Sequence, residues 1–155
     1  MQVKLQGFAD LDKALQQIEK QSTRKAVLRR SLRKAAEPMA QLASSLAPIG
    51  ATGNLAESVV VGVKLDGRQA KIHRKMFRND KQAVEIFVGP SYLKGGGGRH
   101  GHLQEFGTVN HGPQPFMRPA WDQDKGALLD RLGEEIAEDL AKTAARAARK
   151  AAKAA

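Results

Sequence analysis

The chain has 155 residues, 41% hydrophobic and 27% charged, an ordinary balance for a soluble globular protein with one modest domain and appendages. Aromatics make up only 5% and cysteine is absent, so the core rests on aliphatic side chains and alanine. Disulfide frameworks, cysteine nucleophiles and thiolate metal sites are thereby excluded.

The net charge of +10 gathers in two acid-free stretches. Residues 20–34 hold Lys20, Arg24, Lys25, Arg29, Arg30, Arg33 and Lys34, and residues 142–155 hold Lys142, Arg146, Arg149, Lys150 and Lys153. Such clusters attract phosphate, anionic lipid or an acidic protein face, and the plainer reading is two solvated helix faces. The first residues, MQVKLQGFADLD, contain no apolar signal region, and no run approaches a membrane span. The expectation is a soluble protein without an export signal.

In chain order, Phe8, Leu11, Leu15 and Ile18 predict a short amphipathic helix over Leu5–Glu19, with Asp10 as its N-cap. A second helix is predicted from about Ser22, with Ser22 or Thr23 as cap, to Leu46. Its stripe is Leu28, Leu32, Ala35, Met39, Leu42 and Leu46. Pro38 inside that stripe predicts a kink or two helices in tandem. Residues 47–53 break the helix, and Val59–Lys64 reads as a strand. Asp66-Gly67 is a hairpin signal leading to Gln69–His73. Alternation over Ala83–Gly89 predicts a second strand, stopped by Pro90.

A loop follows over Tyr92–Gly101, then a short ordered piece over His102–Gly107 and a turn-rich connection over Thr108–Pro115. Pro119 or Asp122 opens a third long helix. Its stripe is Leu129, Leu132, Ile136 and Leu140, and Asp130, Glu134, Glu135, Glu138 and Asp139 cover the rest. The order predicts an α+β fold: a small antiparallel β-sheet packed against two long α-helices, with a short N-terminal helix and a basic helical C-terminal tail. Residues 1–141 read as one domain and 142–155 as the tail.

No constellation supports catalysis. The tetraglycine Gly95, Gly96, Gly97 and Gly98 is followed by Arg99 and His100, where a phosphate loop needs Lys and Ser or Thr. Four consecutive glycines supply flexibility, so this loop is expected to be mobile and to order against a neighbour. His100, His102, Glu105 and His111 crowd together without a metal-helix spacing, and surface or interface histidines are the better reading. No Gly-x-Ser-x-Gly elbow and no marked carboxylate pair is present. No cofactor is implied. The basic clusters lack base-reading modules but suit sequence-nonspecific contact with a phosphate backbone, which is the alternative function.

Three ordered stretches carry a resemblance. They are Gly7-Phe8-Ala9-Asp10-Leu11; Leu46-Ala47-Pro48 with Thr52-Gly53-Asn54-Leu55-Ala56-Glu57-Ser58; and Val88-Gly89, a loop, then His102-Leu103-Gln104-Glu105-Phe106-Gly107-Thr108, continuing to Pro115-Phe116-Met117-Arg118-Pro119-Ala120-Trp121-Asp122. Together they resemble the siphophage tail-completion family, also labelled head–tail joining, neck or minor tail component, over about residues 5–141. The tetraglycine loop and the Ala/Lys/Arg tail depart from its pattern.

The resemblance implies a structural, non-catalytic virion subunit at the head–tail junction, made in the host cytoplasm. It implies a homo-oligomeric ring, expected to be a hexamer, between head-closure proteins and tail-terminator or tail-tube proteins, with no membrane partner. Gly95–Gly98, Arg99, His100, His102, Arg146, Arg149, Lys150 and Lys153 are the candidates for partner contact, with DNA in the neck channel as a candidate partner of the basic tail. Thr52, Gly53, Leu55, Glu105, Phe106, Gly107, Thr108, Pro115, Phe116, Arg118 and Pro119 are read as structural motif residues. Gly53 and Gly107 suit chain reversal or close approach, Glu105 suits half a salt bridge and Phe106 a core anchor.

Overall fold

A computed structural model describes residue 16 and residues 21–50, 53–77, 83–92 and 97–154. The predicted helix over Leu5–Glu19, Thr52, and Gly95 and Gly96 lie outside the described residues, Gln16 excepted. The elements are α1 (Gln21–Leu46), α2 (Asn54–Ser58), β1 (Val59–Gly62), α3 (Gly67–Met76), β2 (Phe87–Pro90), a 3-10 turn (Gly97–His100), α4 (Gly101–Phe106) and α5 (Met117–Ala154). The class is α+β: two long helices and a two-stranded antiparallel sheet.

The chain divides into two compact units, one of residues 1–35 with 129–155 and one of residues 36–128. In the first, residues 27–35 of α1 run antiparallel to residues 131–140 of α5. Val27, Ile136 and Leu140 are buried together there, with Leu28 and Leu132 against them. Beside this small core, the Ser31 hydroxyl lies 3.1 Å from Asp139 Oδ2, 3.2 Å from Val27 O and 3.3 Å from Glu135 O. Arg30 Nε donates to Asp139 Oδ2 at 2.9 Å, and Lys34 Nζ to Glu135 Oε2 at 2.8 Å. Arg131 donates through Nε and Nη2 to Ala35 O at 3.2 and 3.1 Å.

The second unit is built around Ala43, Ala47, Phe116 and Ala120, with Leu55, Ala56, Val59 and Met117 packed on them. β1 pairs with β2 in the register Val59↔Pro90 to Gly62↔Phe87, and Ser91 N–H extends the ladder to Ser58 O at 2.8 Å.

Several expectations are corrected. Pro38 does not split α1, which is one helix through the proline, so the tandem arrangement is excluded. Ser22 and Thr23 lie inside α1 and not ahead of it. The leucine row of α1 is not its buried face: Ala35 and Met39 are buried, Leu28, Leu32 and Leu42 half-buried, and Leu46 exposed. The buried positions are Val27, Ser31, Ala35 and Met39, continuing through Ala36, Ala40, Ala43 and Ala47. Small side chains let helices approach closely, which leaves the leucines on the shoulders of the contact.

Asp66-Gly67 does not turn a hairpin. Asp66 caps α3, accepting from Gln69 N at 2.8 Å, because an N-cap acid followed by strong helix formers outcompetes the turn. With the chain after Gly62 leading into α3, Ala83–Ile86 has no strand to pair with, and the second strand shrinks to Phe87–Pro90.

Gly107 shows a local constraint the fold depends on. It ends α4 at φ 78 and ψ −179, a region essentially reserved for glycine. A Cβ there would also fall 2.9 Å from both His111 O and Pro113 N. Gly107→Ala is therefore expected to cost about 3 kcal/mol or more, adding collision to backbone strain. Chemical denaturation checks this, and a loss below about 1 kcal/mol would contradict it.

Candidate functional site

The last of the three stretches that carried the resemblance closes on one carboxylate. Glu105, in the last turn of α4, is 5% exposed. Its Oε2 accepts from the backbone N–H of Phe116 at 2.8 Å and of Met117 at 2.9 Å. Its Oε1 accepts from Arg118 N–H at 3.1 Å and Arg118 Nε at 3.0 Å, and Arg118 Nη2 returns to Glu105 O at 3.1 Å. α5 has no acid of its own in its first turn. Glu105 supplies that anion from a distant segment, satisfying the orphan amides and facing the positive end of the helix dipole.

Burial pushes the Glu105 carboxyl up, but hydrogen bonds from the amides of Phe116, Met117 and Arg118 and from the Arg118 side chain outweigh it, and its pKa is lowered. Gln114 N–H to Gln104 O at 2.7 Å and Thr108 N–H to His111 O at 2.8 Å hold the intervening turn. Phe106 is not a core anchor. It is 69% exposed, with the Arg118 guanidinium 4.9 Å from its ring centroid, and the core ring is Phe116.

The tetraglycine region is packed where it is described. Gly98 is buried, and a Cβ on it would fall 2.6 Å from the carbonyl carbon of Ser91. At Gly101 a Cβ would fall 2.7 Å from Pro90 Cγ. Residues 97–101 thus form a 3-10 turn and the start of α4, held against the end of β2. Close backbone approach, not freedom, is what glycine provides here.

Arg99, His100, His102 and His111 are exposed, while Glu105 is fully engaged by the start of α5. Among the described residues no group of His, Asp or Glu is placed to hold a metal ion.

The basic clusters are partly neutralised. Arg30, Lys34 and Lys142 pair with Asp139, Glu135 and Glu138 respectively. Asp139, predicted on the solvated face, is 4% exposed. Burial raises its pKa, but the hydrogen bonds from Arg30 and Ser31 and the charges of Arg30 and Lys34 win, and the net shift is downward. The hydrogen bond to Glu135 does most to raise the Lys34 pKa. Arg29, Arg33, Arg146, Arg149 and Lys153 are exposed. Ser31 and Asp139 carried no signal in the sequence beyond a polar residue near an apolar stripe.

A family described as "Bacteriophage HK97-gp10, putative tail-component" matches residues 9–107. The chain belongs to this family. No curated protein and no solved structure matches it. The match covers α1 to α4 and closes on Gly107, immediately after the Glu105 carboxylate. The Pro115–Trp121 block lies beyond the matched residues but is bound to them through that carboxylate. This tail component has, among its described residues, no helix long and apolar enough to cross a membrane.

Proposed function

We propose that this phage tail component is a structural subunit of the neck, joining the DNA-filled head to the tail as a homo-oligomeric ring, and that it is not an enzyme. Family membership carries the reading. The geometry supports a structural role, because the most buried acids among the described residues, Glu105 and Asp139, hold helices in place. In this reading the partners are head-closure and tail-terminator or tail-tube proteins, and residues 1–141 act as the ring body.

Residues 142–155 act as a contact arm toward DNA phosphates or an acidic neighbour, since Arg146, Arg149 and Lys153 are exposed on a helix with little to bury. The same exposed residues, with Arg29 and Arg33, favour a second reading as a sequence-nonspecific nucleic-acid binder. That reading requires tight duplex binding by the isolated chain with a steep salt dependence.

The test is a nonsense mutation in the phage gene. Filled heads and separate finished tails should accumulate, and supplying the chain in trans should join them. Normally joined virions without the chain would refute the neck role. Supplying a chain lacking residues 142–155 should leave its melting temperature nearly unchanged and lower the yield of joined particles. Full yield with the truncated chain would make the arm dispensable.

A further inference from the structure

The surface of α3 is not accounted for by the fold. No residue of this helix is buried. One side rests on the sheet: the His73 ring lies 4.8 Å from Phe77 and edge-on to Phe87 at 5.3 Å, with Nε2 3.5 Å from Glu85 Oε1. At about 100° per residue the side opposite His73 carries Arg68, Lys71 and Lys75, and Ile72 and Met76 form a row on the flank between that side and the sheet contact. Ile72 is 55% and Met76 71% exposed, and Phe77 beyond the helix end is 58% exposed. A helix face with one sign of charge and adjoining apolar side chains gains from burial against an acidic, partly apolar surface. A phosphate backbone would reward the charges but not Ile72 and Met76.

A matching surface lies in the same unit. A shallow groove of about 310 Å³ between α1 and α2 has Ala40, Ala56 and Val59 as its apolar lining. Glu37 on α1 and Glu57 on α2 border it, both exposed and, among the described residues, without an ion-pair partner.

We propose that α3 of one copy docks into the Glu37/Glu57 groove of a neighbouring copy. Ile72 and Met76 cover the apolar lining, and Arg68, Lys71 and Lys75 face the two glutamates. The contact joins two different surfaces, so when repeated head-to-tail it builds a ring or a filament. It rests on the reading of the chain as a ring subunit and names the surfaces that would build the ring.

The chain contains no cysteine, so Met76→Cys and Gln41→Cys chains each carry a single thiol. Mixed at high concentration and oxidised, they should give the 41–76 disulfide about tenfold above either homodisulfide. Glu37→Lys with Glu57→Lys in the Gln41→Cys chain should cut that product by about tenfold or more, since like charges then meet. Adding Lys71→Glu with Lys75→Glu to the Met76→Cys chain should restore it, which misfolding cannot imitate. A statistical mixture of disulfides, or loss without rescue, would overturn the docking. Chains that still join heads to tails without forming the 41–76 disulfide would overturn it while leaving the neck role standing. A 41–76 disulfide in a chain that the phage does not need for joining would leave the docking standing and remove the neck role.

Discussion

Glu105→Ala is expected to cost about 3 kcal/mol, near the lower end of the penalty for breaking a buried, hydrogen-bonded charge pair. For a chain of this size that is a fall in melting temperature of roughly 6–12 °C. The loss is large because three backbone amides at the start of α5 lose one common acceptor at once. Arg118 softens it, since its side chain is 62% exposed and can return to water. Glu105→Gln keeps one acceptor oxygen but removes the charge facing the helix dipole, so it should lose about half as much.

The lowered pKa also fixes the direction of the pH response. A carboxyl that is more acidic when folded binds its proton more readily when unfolded. Its contribution is therefore complete above the ordinary glutamate value of 4.5 and disappears as pH falls through the lower folded value. Asp139 titrates in the same direction, so the informative quantity is the stability gap between the parent chain and Glu105→Gln. That gap should narrow on going from about pH 7 to about pH 3. A constant gap measured by denaturant titration would rule out the carboxylate as the group that holds α5.

How much of this was legible before the structure depends on the range of the interaction that decides each element. The long helices, the strand at Val59 and the helical continuation into the basic tail follow from local periodicity and propensity. What was misread depends on partners remote in sequence. Alternation over Ala83–Ile86 is real, but a strand exists only where another strand faces it, and β1 has turned away by Gly62. Asp66-Gly67 suits both a hairpin and a helix start, and the helix-forming residues after it decided the outcome.

The glycines after Gly95 look flexible because no local pattern shows that the backbone of Ser91 will lie against Gly98. For Glu105 the residue type hinted at an ion pair. Its three amide partners are eleven to thirteen positions downstream and invisible to any residue-type rule. Phe106 and Phe116 are both apolar and both stand beside turn-forming residues, Gly107 and Pro115. Only packing decides which ring is interior: Phe116 is fully buried and Phe106 is not.

That distinction leads to the second large effect. Phe116→Ala is expected to cost about 4 kcal/mol, the middle of the range for removing a buried ring. The buried side chains around it are alanines, Ala43 from α1, Ala47 just after it and Ala120 from α5. Alanine has no rotamer with which to reach inward, and Leu55, Val59 and Met117 at the margin can refill only part of the space, so most of it stays as a cavity. Phe116→Leu keeps most of the volume and should cost roughly 1–1.5 kcal/mol. Neither variant removes the backbone N–H that donates to Glu105, so the pair isolates the ring from the carboxylate contact beside it. Combined with Glu105→Ala, the loss should fall short of the sum of the single losses, because both act on the first turn of α5. Urea titration of the four chains measures this. If Phe116→Ala stays within about 1 kcal/mol of the parent, the alanine-lined site collapses onto the gap and the ring is not what holds α1 and the start of α5 together in this unit.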